Sequence, residues 1–131
     1  MTTLVDYSAD GHVHTSLCHH ATGTMEEYVQ SAIAKGLKRL MFLEHFEVGI
    51  QYFESTWLTK DDFTYYFQEG KRLKEKYAQA IEVSIGVEIG YNPMAIKDTL
   101  RCLATYHSDR VGLSCQFIAE NGVHITLFRR K

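Results

Sequence analysis

The sequence predicts an α/β protein built on a parallel sheet, with a β-hairpin near its C-terminal end. Three observations predict it. Short apolar runs alternate with amphipathic helical patterns along the 131 residues. One such run, Lys38 to Phe46, ends in polar groups, as a buried strand does where it leaves a sheet. Asn121-Gly122 separates two β-like stretches and is a strong local signal for a hairpin turn. Strands that alternate with helices are joined by right-handed crossovers, which makes their sheet parallel.

A first strand is expected to run into Asp10-Gly11. Thr24-Met25-Glu26-Glu27 then has capping-box spacing, and the helix it opens carries Met25, Tyr28, Val29, Ala32 and Ile33 on one stripe, with Gly36 at its left-handed end. The strand 38–46 follows. A second helix starts at Thr59, has Asp61 and Asp62 in its first turn, and spaces Phe63, Tyr66, Phe67, Gly70, Leu73 and Tyr77 as a core-facing stripe. Residues 81–91 read as a third strand, and Asn92-Pro93 is expected to cap and start a third helix with Ile96, Leu100, Leu103 and Ala104 inward. Arg110 to Ile118 and His124 to Phe128 are the expected hairpin arms. No linker or repeat divides the chain, so residues 1–131 read as one domain or part of one.

A hydrophobic content of 45% with 23% charged residues is that of a globular unit able to bury a core. A net charge of -2 gives no field that would draw the chain to nucleic acid or to an anionic membrane. The terminal Arg129-Arg130-Lys131 cluster reads as a solvated tail. No basic flank precedes an apolar run at the N-terminus and no stretch approaches membrane-spanning length, so a cytoplasmic location is expected. Cys18, Cys102 and Cys115 form no CxxC pair or even framework, as expected of reduced thiols; Cys102 and Cys115 are expected in the core.

Four of the seven histidines, His12, His14, His19 and His20, fall close together after the first strand. Alternate residues of a strand share a face, so His12 and His14 project about 7 Å apart and can converge on one cation. Asp10 is expected on that same face, where a carboxylate can fix the tautomer of a ligating imidazole. Spacing alone equally allows two solvent-facing histidines. Glu44 and His45 at the end of the second strand, and Glu88 in the third, strengthen the metal reading, because the C-terminal ends of parallel strands meet at one rim. Gly86 and Gly90 flank Glu88 and leave room on its face.

Asp10-Gly11-His12-Val13-His14-Thr15, then Cys18-His19-His20-Ala21, Phe42-Leu43-Glu44-His45 and Gly86-Val87-Glu88-Ile89-Gly90-Tyr91 resemble the first three blocks of the PHP (polymerase and histidinol phosphatase) family, in order, and its histidinol-phosphatase branch most closely. The resemblance runs from about Asp6 to Phe128. It implies a distorted seven-stranded (β/α) barrel with two or three divalent ions, zinc, iron or manganese, at the C-terminal rim. By position, His12, His14, His20, His45 and Glu88 would be ligands, with Glu88 bridging and Asp10 in support. His19 and Cys18 have no ligand role in the pattern. The implied substrate is a small phosphate monoester, L-histidinol phosphate, attacked by metal-activated water.

Two departures qualify that implication. Leu113-Ser114-Cys115-Gln116-Phe117 stands where the family has a further histidine ligand, and Gln116 occupies its position; an amide oxygen is a poorer zinc ligand than imidazole. His107 and His124 are too displaced to replace it and are expected to be surface or capping residues. A full barrel needs roughly 250 residues, and the family's later histidine and Asp-x-His pair do not occur here. The expectation is therefore the N-terminal half of a barrel, either a fragment of a longer protein or a chain that pairs with a second copy to cover an open sheet edge. Two functions follow: a metal-dependent phosphatase, favoured by the ordered blocks, and a non-catalytic metal-binding or oligomerising remnant, favoured by Gln116 and the absent blocks.

Overall fold

Two strands with matched apolar alternation organise the chain. In β2 (Arg39–Phe46) and β3 (Glu82–Gly90), Leu40, Phe42 and Phe46 lie beside Val83, Ile85 and Ile89 on one face, and Leu43 and His45 lie beside Gly86 and Glu88 on the other. The first face is the core, and the second lines the concave side of the sheet. In the computed structural model, which describes residues 5–127, β1 (Ala9–Val13), β2, β3 and β4 (Val111–Ser114) form a parallel sheet in that order, curled as a half-barrel. The basic cluster Arg129-Arg130-Lys131 and Phe128 lie outside the described residues.

The helices cover the core face. Thr24 and Glu27 close a reciprocal capping box at the start of α1 (Met25–Ala34), and Thr59 and Asp62 close another at α2 (Lys60–Lys76). Met25, Val29 and Ala32 of α1 and Phe63, Tyr66 and Leu73 of α2 are buried with the strand residues in one cluster. At Gly70 an added Cβ would lie 2.5 Å from Ile85, so the missing side chain is what lets α2 sit down on β3. The Tyr66 hydroxyl donates to the Gly86 carbonyl at 2.8 Å, tying the helix to the strand that carries Glu88.

Four expectations change. The third helix, α3 (Ile96–Leu103), begins later than Asn92-Pro93: Asn92 Oδ1 instead accepts from the Met94 backbone at 3.1 Å, a local turn that precedes the helix. Its apolar stripe does not point inward, since Ile96 and Leu100 are exposed, Ala104 is exposed and Leu103 is only partly buried; the face they form has no element packed over it among the described residues. Cys102 and Cys115 are likewise exposed, and only Cys18 is buried. Arg110 to Ile118 is two strands, β4 in the parallel sheet and β5 (Phe117–Glu120), which pairs antiparallel with β6 (Val123–Thr126) across Asn121 and Gly122, both at positive φ. Cys115-Gln116 is the corner between them. Among the described residues no helix is long and apolar enough to cross a membrane.

Candidate metal centre

The strand ends converge on the concave rim. His12 Nε2 lies 3.1 Å from His14 Nε2, and Glu88 Oε2 lies 3.0 Å from His12 Nε2 and 3.3 Å from His14 Nε2. Three ligand atoms thus form a nearly equilateral triangle. Donors at tetrahedral to octahedral angles around a cation about 2.1 Å away are about 3.0–3.4 Å from one another, so the triangle has the dimensions of one face of a zinc-type coordination shell. The donor set of two imidazoles and a carboxylate suits zinc, iron or manganese. His45 stacks on His14 at 4.4 Å between ring centroids, and His20 meets both edge-on at 5.5 and 4.9 Å.

In the absence of a cation, protons hold the triangle together. Burial disfavours charge on His14, but hydrogen bonds to Glu44 and Glu88 outweigh it and raise its pKa to about 9. The His14 bond, with the other histidines, holds Glu88 down at about 2 against its own burial. His45 behaves oppositely: burial first, then the charge on His14, depresses it to about 4, leaving a neutral imidazole. A cation seated in the triangle would displace the proton on His14 and meet a carboxylate already ionised.

The sheet geometry explains which groups arrive here. Asp10 pairs with Leu40 and Val13 with Phe42, so β1 carries one extra residue between them. That bulge puts Asp10 on the core-facing side of the strand and His12 on the concave side. Asp10 therefore does not share a face with His12, contrary to expectation; its Oδ1 accepts from the His12 backbone at 3.3 Å. The carboxylate that addresses an imidazole is Glu44. It is fully buried, its Oε1 accepts from both the backbone N–H and the hydroxyl of Thr15 at 2.5 Å, and its Oε2 lies 3.3 Å from His14 Nδ1. A proton on that Nδ1 leaves Nε2 free to face the triangle. Glu44 and His45 were read together as one strand-end pair, but alternation in β2 sends them to opposite faces.

Gln116, at the corner after β4, places Nε2 2.9 Å from His45 Nδ1 and 3.2 Å from Ser114 Oγ. It approaches the rim, with its amide engaged by the imidazole. His19 serves the backbone: at φ 64 it ends the short 3-10 turn Ser16–Cys18 that carries the chain from His14 to His20. The Cys18 thiol donates to the Thr15 carbonyl at 3.0 Å, and its Sγ lies 3.4 Å from His20 Nδ1. Cys18, His14 and Glu44 also bring three ligand atoms within 4.8 Å of one another, with Glu44 Oε1 and Cys18 Sγ each hydrogen-bonded to Thr15.

A description of the PHP domain matches residues 10–129. The chain belongs to the PHP-domain family. It is 31% identical over 114 residues to a Deinococcus radiodurans protein named a probable histidinol-phosphatase, covering 86% of this chain and 44% of that one. The histidinol-phosphatase of Bacillus subtilis is 26% identical over 126 residues, covering 90% of this chain and 47% of that protein. Among solved structures, hisK of Listeria monocytogenes superposes with a TM-score of 0.78 at 27% identity, over 90% of this chain and 48% of that one. The histidinol phosphate phosphatase of Lactococcus lactis, solved with zinc, L-histidinol and phosphate, shares the fold with a TM-score of 0.75 at 21% identity, over 89% and 42%. The chain spans less than half the length of these relatives.

The PHP rim has a second wall that the sequence reading did not find. Tyr52 and Thr56, from the loop between β2 and α2, and Phe117 and Thr126 of the hairpin line the same cavity of about 370 Å³ as the histidines and Glu88. Nothing in the local sequence marks these residues, because the loop and the hairpin are far apart along the chain. Glu47, the residue following β2, was also missed. Its carboxylate rests on the Cα of Gly90, where a Cβ would overlap it, and neither oxygen has a hydrogen-bond partner among the described residues. Burial, then the neighbouring Glu88, raises Glu47 to about 7.

Proposed function

We propose that this chain supplies the metal-binding rim of a PHP-type phosphoesterase that hydrolyses a phosphate monoester, with L-histidinol phosphate as the substrate. The observation that carries the proposal is the His12–His14–Glu88 triangle, whose edges of 3.0, 3.1 and 3.3 Å fit a single divalent cation. The similarity to proteins named histidinol-phosphatase supports the choice of substrate. Two or three ions, zinc, iron or manganese, belong to the proposal, with His20, His45 and Gln116 as the further candidate ligands. When bound, such ions neutralise phosphate charge and lower the pKa of a water toward neutrality.

The chain's own residues prepare the site for that chemistry. Glu44 orients His14, the bulge in β1 sets His12 beside it, and Tyr66 anchors the strand of Glu88. The free thiols of the described cysteines accord with a reducing, cytoplasmic setting, which we include in the proposal. The test combines metal content per chain with hydrolysis of p-nitrophenyl phosphate and of L-histidinol phosphate. Turnover that is lost with chelator and restored by metal is expected.

One observation favours a second reading, a metal-binding PHP remnant without turnover: Gln116 hydrogen-bonds His45 where the family pattern has a ligating histidine. Bound metal with no hydrolysis of either ester would select it. We also propose that the exposed flank of α3 and β4, where Met94 is 85% and Leu113 is 74% exposed, is covered in the working protein. A second copy or further strands of the same polypeptide would do this. A chain that stays monomeric by light scattering removes the first.

A further inference from the structure

An imidazole can face a cation with one ring nitrogen only if the other carries the proton, so what holds the second nitrogen decides what the ring offers. Glu44 addresses His14 in this way. At His20 the neighbour is a thiol: Nδ1 lies 3.4 Å from the sulfur of Cys18, a fully buried residue. The local chain builds this contact. Thr15 caps the short turn Ser16–Cys18 by accepting from the Leu17 N–H, and His19, at φ 64, reverses the backbone after it. The reversal brings the His20 ring against Cys18 two residues away, while the ring also lines the cavity with His12, His14, His45 and Glu88.

A thiol has a single hydrogen, and the geometry says where it goes. Cys18 Sγ lies 3.0 Å from the Thr15 carbonyl, a group that can only accept, so the S–H donates there. The sulfur then meets His20 with its lone pairs, and the contact is a hydrogen bond only when Nδ1–H is the donor. A neutral ring held this way carries its lone pair on Nε2. Thr15 anchors both imidazole partners. Its N–H and hydroxyl hold Glu44, which addresses His14, and its carbonyl holds Cys18, which addresses His20. Thr15 is itself 1% exposed, so the anchor belongs to the packed core.

We propose that Cys18 is a positioning residue that fixes His20 with its proton on Nδ1, so that the ring offers Nε2 to the rim. This rests on the metal reading of the rim. The same sulfur lies within 4.8 Å of ligand atoms of His14 and Glu44, which would also suit a ligand. A ligating sulfur would have to give up the hydrogen that bonds the Thr15 carbonyl, whereas the positioning role keeps it. The role also accounts for a small polar atom in a fully buried place: a carbon side chain of similar size would fill the space and leave both the Thr15 carbonyl and the His20 ring without this partner.

The experiment reads the tautomer directly. Long-range proton–nitrogen correlations of the metal-free 131-residue chain, isotopically labelled on nitrogen, report which nitrogen of each ring carries the proton, and His20→Ala assigns the signals. The spectra are taken at about pH 8.5, above the ordinary imidazole value. The parent is expected to show His20 protonated at Nδ1. Cys18→Ala is expected to mix the tautomers and to weaken zinc about tenfold in competition with a chromophoric chelator. Cys18→Ser, whose hydroxyl can donate to Thr15 and accept from His20, is expected to keep the tautomer and bind zinc as the parent does. A parent His20 protonated at Nε2 overturns the proposal with no variant needed, so it stays open to refutation even if the alanine variant fails to fold. Cys18→Ala with the parental tautomer overturns it as well, whatever the zinc affinity, because the loss would then be one of packing. A sulfur-to-metal charge-transfer band on cobalt loading that Cys18→Ala abolishes makes Cys18 a ligand and overturns the positioning role. A parent with the expected tautomer that retains no zinc overturns the metal reading of the rim and leaves the Cys18–His20 assignment standing.

Discussion

Replacing Glu44 by glutamine is the most informative single perturbation, because it exchanges one oxygen for an NH2 group and leaves shape and volume nearly constant. The carboxylate takes two donors from Thr15 on Oε1, and Oε2 faces His14 Nδ1 and, at 3.4 Å, the His45 backbone N–H. An amide has one acceptor oxygen. If its NH2 group turns toward Thr15, two buried donors lose their acceptor. If it turns toward His14, the imidazole must shift its proton to Nε2, the atom that faces the metal triangle. Leaving a buried donor unpaired costs roughly 2 kcal/mol, and mistuning the partner of a ligating imidazole weakens metal binding about 10- to 100-fold. The urea midpoint of the metal-free chain measures the first effect, and competition with a chromophoric zinc chelator measures the second. A variant with parental midpoint and zinc affinity within twofold would refute the assignment of Glu44 as the group that orients His14.

His12→Ala and Glu88→Ala each remove a corner of the triangle and are expected to lower zinc per chain measured after dialysis; folding should change little for His12→Ala, because His12 is exposed, and more for Glu88→Ala, which takes a mostly buried partner from His14. Gln116→His should raise metal occupancy by restoring an imidazole at the corner after β4; unchanged metal content by elemental analysis would count against a ligand position there. The Glu26 cluster should govern acid stability. Bonds from Lys76, then Arg72 and Tyr77, hold Glu26 at about 2, below its ordinary 4.5, so its contribution is fully present above the ordinary value and is lost as pH falls through about 2. The difference in urea midpoint between the parent and Glu26→Gln should therefore be clear at pH 6 and disappear by about pH 2; a pH-independent difference would refute the linkage.

Local signals carried most of the fold. The capping box at Thr24, the helix start at Thr59, the strand read as 38–46, the Asn121-Gly122 turn and the stripes of α1 and α2 are short-range patterns, legible because a helix or hairpin is decided by residues a few positions apart. The end of the chain was harder for a physical reason. Residues 110–118 have one uninterrupted β propensity, but Val111–Ser114 pairs with β3 while Phe117–Glu120 pairs with β6, and nothing local reports a change of partner. The stripe of α3 is a different case. Ile96, Leu100 and Leu103 have the spacing of a buried face, and the expectation that they point inward failed because periodicity identifies an apolar face without saying what covers it.

The candidate site divides in the same way. His12, His14, His45 and Glu88 were legible because strand ends of a parallel sheet share a rim, a consequence of topology alone. The groups that support them depend on register, and register turns on single residues. One extra residue in β1 exchanges the faces of Asp10 and its neighbours, and with them the identity of the carboxylate that meets an imidazole. Glu44 then takes that position from the core face of β2, fully buried beneath the turn that begins at Thr15. Its burial and its bonds to Thr15 hold Glu44 without help from the triangle, so the folded core is expected to orient His14 before a cation arrives. Solution spectra of the metal-free chain should accordingly show His14 Nδ1 protonated and protected from exchange, and a rapidly exchanging Nδ1 proton would mean that the cation builds the site instead.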